Sequence, residues 1–399
     1  MGAEFRTCKI TGFKVHLPTE QLIKINAVTA IVALLIGGIL ALLVALTRWP
    51  TVHLLPSDTF YKVLTAHPLN MLIFWIVFFE IALLYFTSAI LLNTRLSTPR
   101  LGWLAYILML VGALMLNYMV LVVGGENIVM FTSYPPLKAS PFFYLGYILF
   151  AVGALIGVAI FFATIYNAKR EKTYEGSLPL VTYGAATAAI LAAETLLFGA
   201  IIYIPTFLWS LGFYPSIDPQ MYRLIFWGFG HSSQQINVAA MVAVWYALAY
   251  LTVGGTPISE KFSRTAFLLY LLFINVAAEH HLLWDPGLTP AHKVWNTSYI
   301  FHLAVLASMM HAFAIPASIE RALRRKGFNH GLFEWLRKAP WGNPGFPALV
   351  FSIIGFGFLG GITGVTFGTE QINLRTHNTW SMSGHFHGTV VAGTTLAFM

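Results

Sequence analysis

The chain has 399 residues, of which 57% are hydrophobic and 10% charged, and its mean hydropathy is +0.72. Soluble domains carry about 25% charged residues, so this composition excludes a soluble globule and points to an integral membrane protein. The net charge of +8 is accounted for by basic loops on one membrane face, which leaves no call on a nucleic-acid partner, and the single cysteine, Cys8, excludes an intrachain disulfide and a cysteine-based metal site.

A membrane-crossing helix needs about 20 apolar residues. The hydropathy pattern predicts ten such spans, at 22–47, 64–93, 102–123, 142–167, 181–211, 219–253, 265–284, 293–319, 346–368 and 376–399. The expected fold class is therefore all-α, a polytopic transmembrane helix bundle forming one membrane domain over 1–399. The first run ends without a cleavage pattern and reads as a true span. With the N-terminus placed in the cytoplasm, the inner segments hold 17 of the 23 basic residues and the outer ones hold 6, namely Arg48, Lys62, Lys138, Arg223, Lys293 and Arg375. That asymmetry predicts a multi-pass cell-membrane protein, surrounded by lipid, with a cytoplasmic N-terminus.

Residues 1–21 are polar and belong on the cytoplasmic face. Span 2 opens with Leu64-Thr-Ala-His-Pro-Leu-Asn70, which places His67 near its outer end. The loop 124–141, with Gly124-Gly125-Glu126 and Tyr134-Pro-Pro136, lies on the outer surface, and the charged loop 168–178 on the inner one. Span 6 carries Phe226-Trp-Gly-Phe-Gly-His-Ser-Ser-Gln-Gln235. Span 7 ends in Glu279-His-His-Leu-Leu-Trp-Asp-Pro-Gly287, where Pro286 and Gly287 stop a helix. A basic inner loop, 321–345, precedes span 9, and span 10 holds Thr379-Trp-Ser-Met-Ser-Gly-His-Phe-His-Gly388.

Histidines inside spans are costly without a partner and are functional-site candidates by default. Six of them, His67, His231, His280, His281, His385 and His387, fall in the outer half of the bilayer under this topology, which argues for one shared site. On a helix, positions i and i+2 point about 200° apart. His385 and His387 therefore face opposite sides and are suited to two flat cofactors rather than one ion. Haem takes histidine as an axial ligand, so two haems flanking this helix are expected. The adjacent His280 and His281 with His231 make a three-imidazole site that suits copper, iron or zinc. His67 and His387 could be the two axial ligands of a low-spin haem. His16, His53, His292, His302, His311 and His330 read as surface or packing residues, and the many Trp, Phe and Met residues as bilayer belt and core.

The order of histidine on span 2, histidine on span 6, His-His on span 7 and His-x-His on span 10 resembles the catalytic subunit I of the haem–copper oxidase superfamily. The segment Glu279–Glu320 and the run His377-Asn-Thr-Trp-Ser-Met-Ser-Gly-His-Phe-His387 are most similar to its B-type branch. The resemblance implies that His67 and His387 ligate a low-spin haem, that His385 ligates a high-spin haem, and that His231, His280 and His281 hold a non-haem metal, copper or iron. It implies that His377 lies near the high-spin haem propionates. It also implies an electron-donor subunit bearing copper or haem, fed by a cytochrome c, a cupredoxin or a quinol, and O2 or NO as the substrate. This chain has no CxxCH motif or cysteine copper site of its own.

The chain departs from the oxygen-reducing pattern in four places. Gln235 stands four residues after His231, where oxygen-reducing members have a tyrosine that supplies an electron and a proton when the O–O bond breaks. Glu279 stands beside the metal pair, either as a proton carrier in a low-dielectric setting or paired at the outer edge. Asn373 replaces an aspartate near the haem propionates. The family's last two spans, with their propionate-pairing arginines, are not in the sequence, and the last span reaches Met399 without a polar flank, so the expectation is of a fragment or of a separate polypeptide. Tyr246 matches a B-type proton-channel tyrosine, whose polar partners on span 8 are expected to be lost around Ala307 and Met310. Gln235 tips the expectation towards a nitric oxide reductase-like variant that turns NO into N2O. The alternatives are an O2-reducing, proton-pumping terminal oxidase and a non-catalytic haem membrane protein or transporter. Tyr246 is a poor substitute for the missing tyrosine, since it lies about 22 Å along the helix from His231.

Overall fold

In hydrocarbon a backbone must satisfy its own N–H and C=O groups, so each apolar run has to be helical. The computed structural model, which describes residues 4–274 and 276–399, follows that rule. A short hairpin comes first, with β1 (Phe5–Thr7) antiparallel to β2 (Lys14–His16) and Phe5 opposite His16. The helices follow as α1 (Leu17–Arg48), α2 (Ser57–Ile90), α3 (Pro99–Val123), α4 (Pro141–Glu171), α5 (Leu180–Ser210) and α6 (Pro219–Val253). Then come α7 (Glu260–Leu269), α8 (Pro290–Arg325), α9 (Gly345–Gly368) and α10, residues 380–398. The all-α polytopic architecture is as expected.

Among the described residues, eight helices are long and apolar enough to cross a membrane, all but α7 and α10. The expected runs at 265–284 and 376–399 are the two that fall outside this count. The run expected at 265–284 is not one continuous α-helix: α7 passes into a π-helical turn, Tyr270–Ile274, residue 275 lies outside the described residues, and a 3-10 helix, Ala278–Leu282, follows. The run expected at 376–399 becomes helical from Trp380, and its two histidines with the glycines, serines and threonines around them make it too polar to count.

By contacts the chain forms two compact units, Met1–Glu175 with Ala192–Phe229, and Gly176–Leu191 with Gly230–Met399.

In the first unit, α1 turns Val28, Ile31, Leu35, Ile39 and Leu42 outward, an apolar face for lipid, and buries Asn26, Ala30, Ala33, Gly37 and Leu40. Gly37 lets α2 approach closely: a Cβ there would lie 2.5 Å from Met71 Cγ. In α2, Pro68 has no N–H to give, and the ladder widens into a π-turn at Leu69–Phe74 directly after it. Asn70 then meets Asn117 of α3 in a two-way amide pair, Nδ2 to Oδ1 at 2.7 Å one way and 3.2 Å the other. Asn117→Leu leaves Asn70 half-satisfied in a buried setting, and we expect a loss of about 1–3 kcal/mol, read as a lowered thermal midpoint in detergent. An unchanged midpoint would mean that the pair carries no stability. Helices α3 and α4 close on glycine, since a Cβ at Gly112 would lie 2.5 Å from the carbonyl oxygen of Gly146 and one at Gly153 would lie 2.6 Å from that of Ala105.

The hairpin holds the only cysteine of the sequence. Hydrogen bonds from Thr11 and from the backbone of Ile10 pull the Cys8 thiol down to about 7, from an ordinary value of about 8.5. The reactive thiolate therefore grows in as pH rises through about 7. An impermeant maleimide is expected to label Cys8 from the cytoplasmic side of oriented vesicles, with that pH midpoint. Labelling from the outer side would place the N-terminus outside.

In the second unit, α9 and α10 pack glycine against backbone. A Cβ at Gly388 would lie 2.5 Å from the carbonyl oxygen of Leu359, and one at Gly355 would lie 2.7 Å from Ala392 Cβ. Ser352 of α9 accepts a hydrogen bond from Trp245 Nε1 of α6 and donates one to the carbonyl of Gly393 in α10, each 2.7 Å long.

Candidate metal centre

Three imidazoles of the second unit come together. His231 is buried on α6, and His280 and His281, both half-buried, sit on the 3-10 helix. One ligand atom from each lies within 4.8 Å of the other two. His231 Nδ1 is 3.3 Å from His281 Nε2. Nitrogens that share one ion at about 2.0–2.1 Å stand roughly 3.3–3.5 Å apart, so one pair is already at ligating separation. The rings of His280 and His281 lie 4.2 Å apart at 34°, and His231 stands edge-on to His280 at 4.8 Å and 86°. The ring of Phe301, from α8, lies 4.7 Å from that of His280.

Carbonyl oxygens only accept, so a ring nitrogen bonded to one must carry the proton. That fixes several tautomers. His280 Nδ1 donates to Ala277 O at 2.5 Å, and His387 Nδ1 to Ser383 O of its own helix at 2.7 Å. In the first unit, half-buried His67 donates from Nδ1 to Gly37 O at 3.0 Å. Each ring is thereby left with its lone pair on Nε2, the atom a metal takes. On α10, His385 and His387 diverge: His385 is half-buried, with Nδ1 2.9 Å from Thr363 Oγ1 of α9, while His387 is exposed.

The other expected residues are spread around this core. Gln235 lies half-buried on α6, one turn after His231. The Glu279 carboxylate accepts a hydrogen bond from Asn296 Nδ2 and lies 3.4 Å from His292 Nε2, so its partners are on α8. His377 follows the short helix Glu370–Thr376, its ring 5.9 Å from that of Trp284. Asn373 is buried, with its amide donating to Phe367 O at 2.8 Å.

One expectation is corrected by the packing of α8. Tyr246 was expected to have lost its polar partners there, and His311 was read as a surface or packing residue. Instead Tyr246 Oη lies 2.9 Å from Ser263 Oγ and 3.0 Å from Nδ1 of fully buried His311. Tyr270 and Ser308 pair beside them at 3.0 Å. His311 follows Met310 by one residue, and Ser308 follows Ala307. The default for an intramembrane histidine would have found His311. Thr363 and Asn296 gave less signal, although the glycines at 360, 361 and 364 mark a stretch of close approach around the former.

With the geometry in place, comparison with known proteins is decisive for kinship. The family model for cytochrome c and quinol oxidase polypeptide I matches residues 21–399. The chain belongs to this family. Within it, the chain is similar to cytochrome c oxidase subunit 1 of Thermus thermophilus, 33% identical over 360 residues, covering 87% of this chain and 61% of the relative. It is also similar to quinol oxidase subunit 1 of Bacillus spizizenii, 23% identical over 393 residues, covering 93% and 56%. A solved haem–copper terminal oxidase dimer superposes with a TM-score of 0.88 at 26% identity, over 95% of this chain and 67% of the other. The chain thus spans about three fifths of the length of the curated relatives it matches. The family implies haems and a copper centre, and the residues present fit them: His67, His280 and His387 turn Nε2 away from a backbone carbonyl, and the three-imidazole cluster offers neutral nitrogen donors, which suit copper.

Proposed function

We propose that this chain is the catalytic subunit of a membrane terminal oxidase that reduces O2 to water with electrons from a partner subunit. The observation that carries the reading is the convergence of His231, His280 and His281 in a member of this family, and the relatives named as cytochrome c and quinol oxidases favour O2 over NO. By the resemblance, His67 and His387 hold a low-spin haem, His385 a high-spin haem, and the three clustered histidines a copper ion. His377 lies near the propionates. These groups supply the electron transfer and the gas-binding surface.

The chain's own side chains do the rest. The three imidazoles bring one ring nitrogen each to within 4.8 Å of the other two, which gathers the donors that a metal would take. Glu279, adjacent in sequence to the pair His280–His281, has its carboxylate tethered by Asn296 of α8. On the inner side, Tyr246, Ser263 and His311 form a hydrogen-bonded group able to pass a proton along helices α6, α7 and α8. The donor subunit bears copper or haem and sits at the outer face. A cytochrome c, a cupredoxin or a quinol feeds it.

A second reading, reduction of NO to N2O, is favoured by one residue. Gln235 can be neither oxidised nor deprotonated in the role that the resemblance gives to a tyrosine, and two-electron NO reduction breaks no O–O bond. On the main reading another oxidisable residue takes that role. The test is gas consumption by the purified complex with one artificial electron donor, under O2 and then under NO. Fast O2 uptake to water is the expected result. Fast NO loss with N2O formed and little O2 uptake would replace the main reading with the second, and loss of neither gas would remove both.

A further inference from the structure

We propose that Asn296 of α8 is a positioning residue for the non-haem metal, holding the turn that carries His280 and His281 at the place where they meet His231. The inference rests on the reading that these three histidines hold a metal. His280 and His281 stand on a 3-10 helix of 5 residues, Ala278–Leu282, and hydrogen bonds in such a run are poorer than those of an α-helix. Side chains of α8 supply the hold. Asn296 Nδ2 donates to Val276 O at 2.7 Å and also to the Glu279 carboxylate. Lys293 Nζ, one turn earlier on α8, donates to Leu283 O at 2.6 Å. Residues 276 and 279 precede the histidine pair and residue 283 follows it, so the pair is fastened to α8 on both sides.

Of the two donors, Asn296 is the one that water cannot replace. An amide NH2 has two protons, and both are spent on the turn. The residue is fully buried. Its Oδ1 has no hydrogen-bond partner among the described residues, so the polar contacts of the amide are directed wholly at the turn. The same stretch of α8 backs the turn with two more groups. His292 Nε2, one turn before Asn296, lies 3.4 Å from Glu279 Oε1, and the Phe301 ring lies 4.7 Å from that of His280. Asn296 and Phe301 both belong to the π-helical turn Trp295–Phe301. Such turns recur at functional sites, and this one presents to the metal-ligand turn the amide that anchors its backbone and the ring that packs on its first histidine. Asn296 acts through Val276 and Glu279.

The experiment uses the purified full complex, dialysed against a chelator. Asn296→Asp keeps the shape of the side chain, removes both protons and sets a second carboxylate against that of Glu279. Loss of a group behind a metal ligand typically costs about 10–100-fold in metal affinity. This variant is therefore expected to lose its non-haem metal at a chelator concentration about 10–100-fold lower than wild type requires, with haem absorbance kept. X-ray absorption at the metal edge should count fewer than three imidazoles on the metal that remains. The double variant Asn296→Asp with Glu279→Gln exchanges donor and acceptor across the same contact. It should regain metal retention by about 3-fold or more, the worth of one hydrogen bond. If the single variant does not assemble, Asn296→Leu, neutral and of similar volume, is read in its place. Wild-type retention of the metal in the aspartate or leucine variant overturns the proposal, as does a double variant no better than the single one. Wild-type complex that carries haem but no non-haem metal overturns the reading of the three histidines itself, an outcome distinct from the others.

Discussion

The double substitution His280→Ala with His281→Ala is expected to lower gas reduction by more than about 100-fold, beyond the 10–100-fold typical of changes behind a metal ligand. Two of the three clustered imidazoles disappear, and a lone His231 has too few donors to retain an ion. Metal analysis should show the non-haem metal lost. Haem absorbance should persist, because the histidines read as haem ligands, His67, His385 and His387, lie on α2 and α10 and are left unsubstituted. Full activity in the purified double variant would remove the three-histidine assignment and leave kinship to the family intact. Loss of both haems together with the metal would show that the turn Ala278–Leu282 is needed for assembly, and the single substitutions would then carry the comparison.

A comparable loss by a different route is expected from Gly388→Val. The added carbon would lie 2.5 Å from the carbonyl oxygen of Leu359 and 2.7 Å from its carbonyl carbon. Both are backbone atoms, so no rotamer change relieves the clash and α9 and α10 must separate. Overpacking in a core that can adjust costs about 1–3 kcal/mol, and this one lies at or above that range. Since His385 and His387 immediately precede Gly388, the measurement is haem per protein alongside thermal midpoint, and both should fall. Gly357→Ala, on α9, is the control. Nothing lies within 4 Å of its added carbon, and alanine favours a helix by about 0.5–1 kcal/mol over glycine, so that variant should match or exceed wild type. Equal behaviour of the two variants would show that the seam yields more than its backbone contacts suggest.

The contrast between these glycines shows what the sequence could and could not disclose. The helices were legible because lipid leaves an apolar run only one way to satisfy its backbone, and the histidines were legible because hydrocarbon makes each of them conspicuous. Where a helix stops being regular was not legible. The passage of α7 into the π-helical turn Tyr270–Ile274, and the 3-10 helix Ala278–Leu282 that carries the histidine pair, leave no mark on a hydropathy pattern. The partners of polar residues were equally hidden. Glu279 could be placed beside the histidine pair by counting, but its bond to Asn296 depends on the rotation of α8. The same rotation brings His311 rather than Ala307 or Met310 to Tyr246. Ridge and groove geometry decides such matters, and a hydropathy pattern carries the face of a helix only to within a residue or so.

The bonds through Ser352 have one more consequence. A single hydroxyl receives from Trp245 and gives to Gly393, so the helix that carries His231 and the helix that carries His385 and His387 are both fastened to α9 at one atom. Drift of either helix takes away one of the two partners of that single hydroxyl. Opening of this region is therefore expected to be all-or-none: backbone amides of α6 near Trp245 and of α10 near Gly393 should exchange with solvent deuterium as one cooperative block, and a variant that loosens one should release the other in the same event.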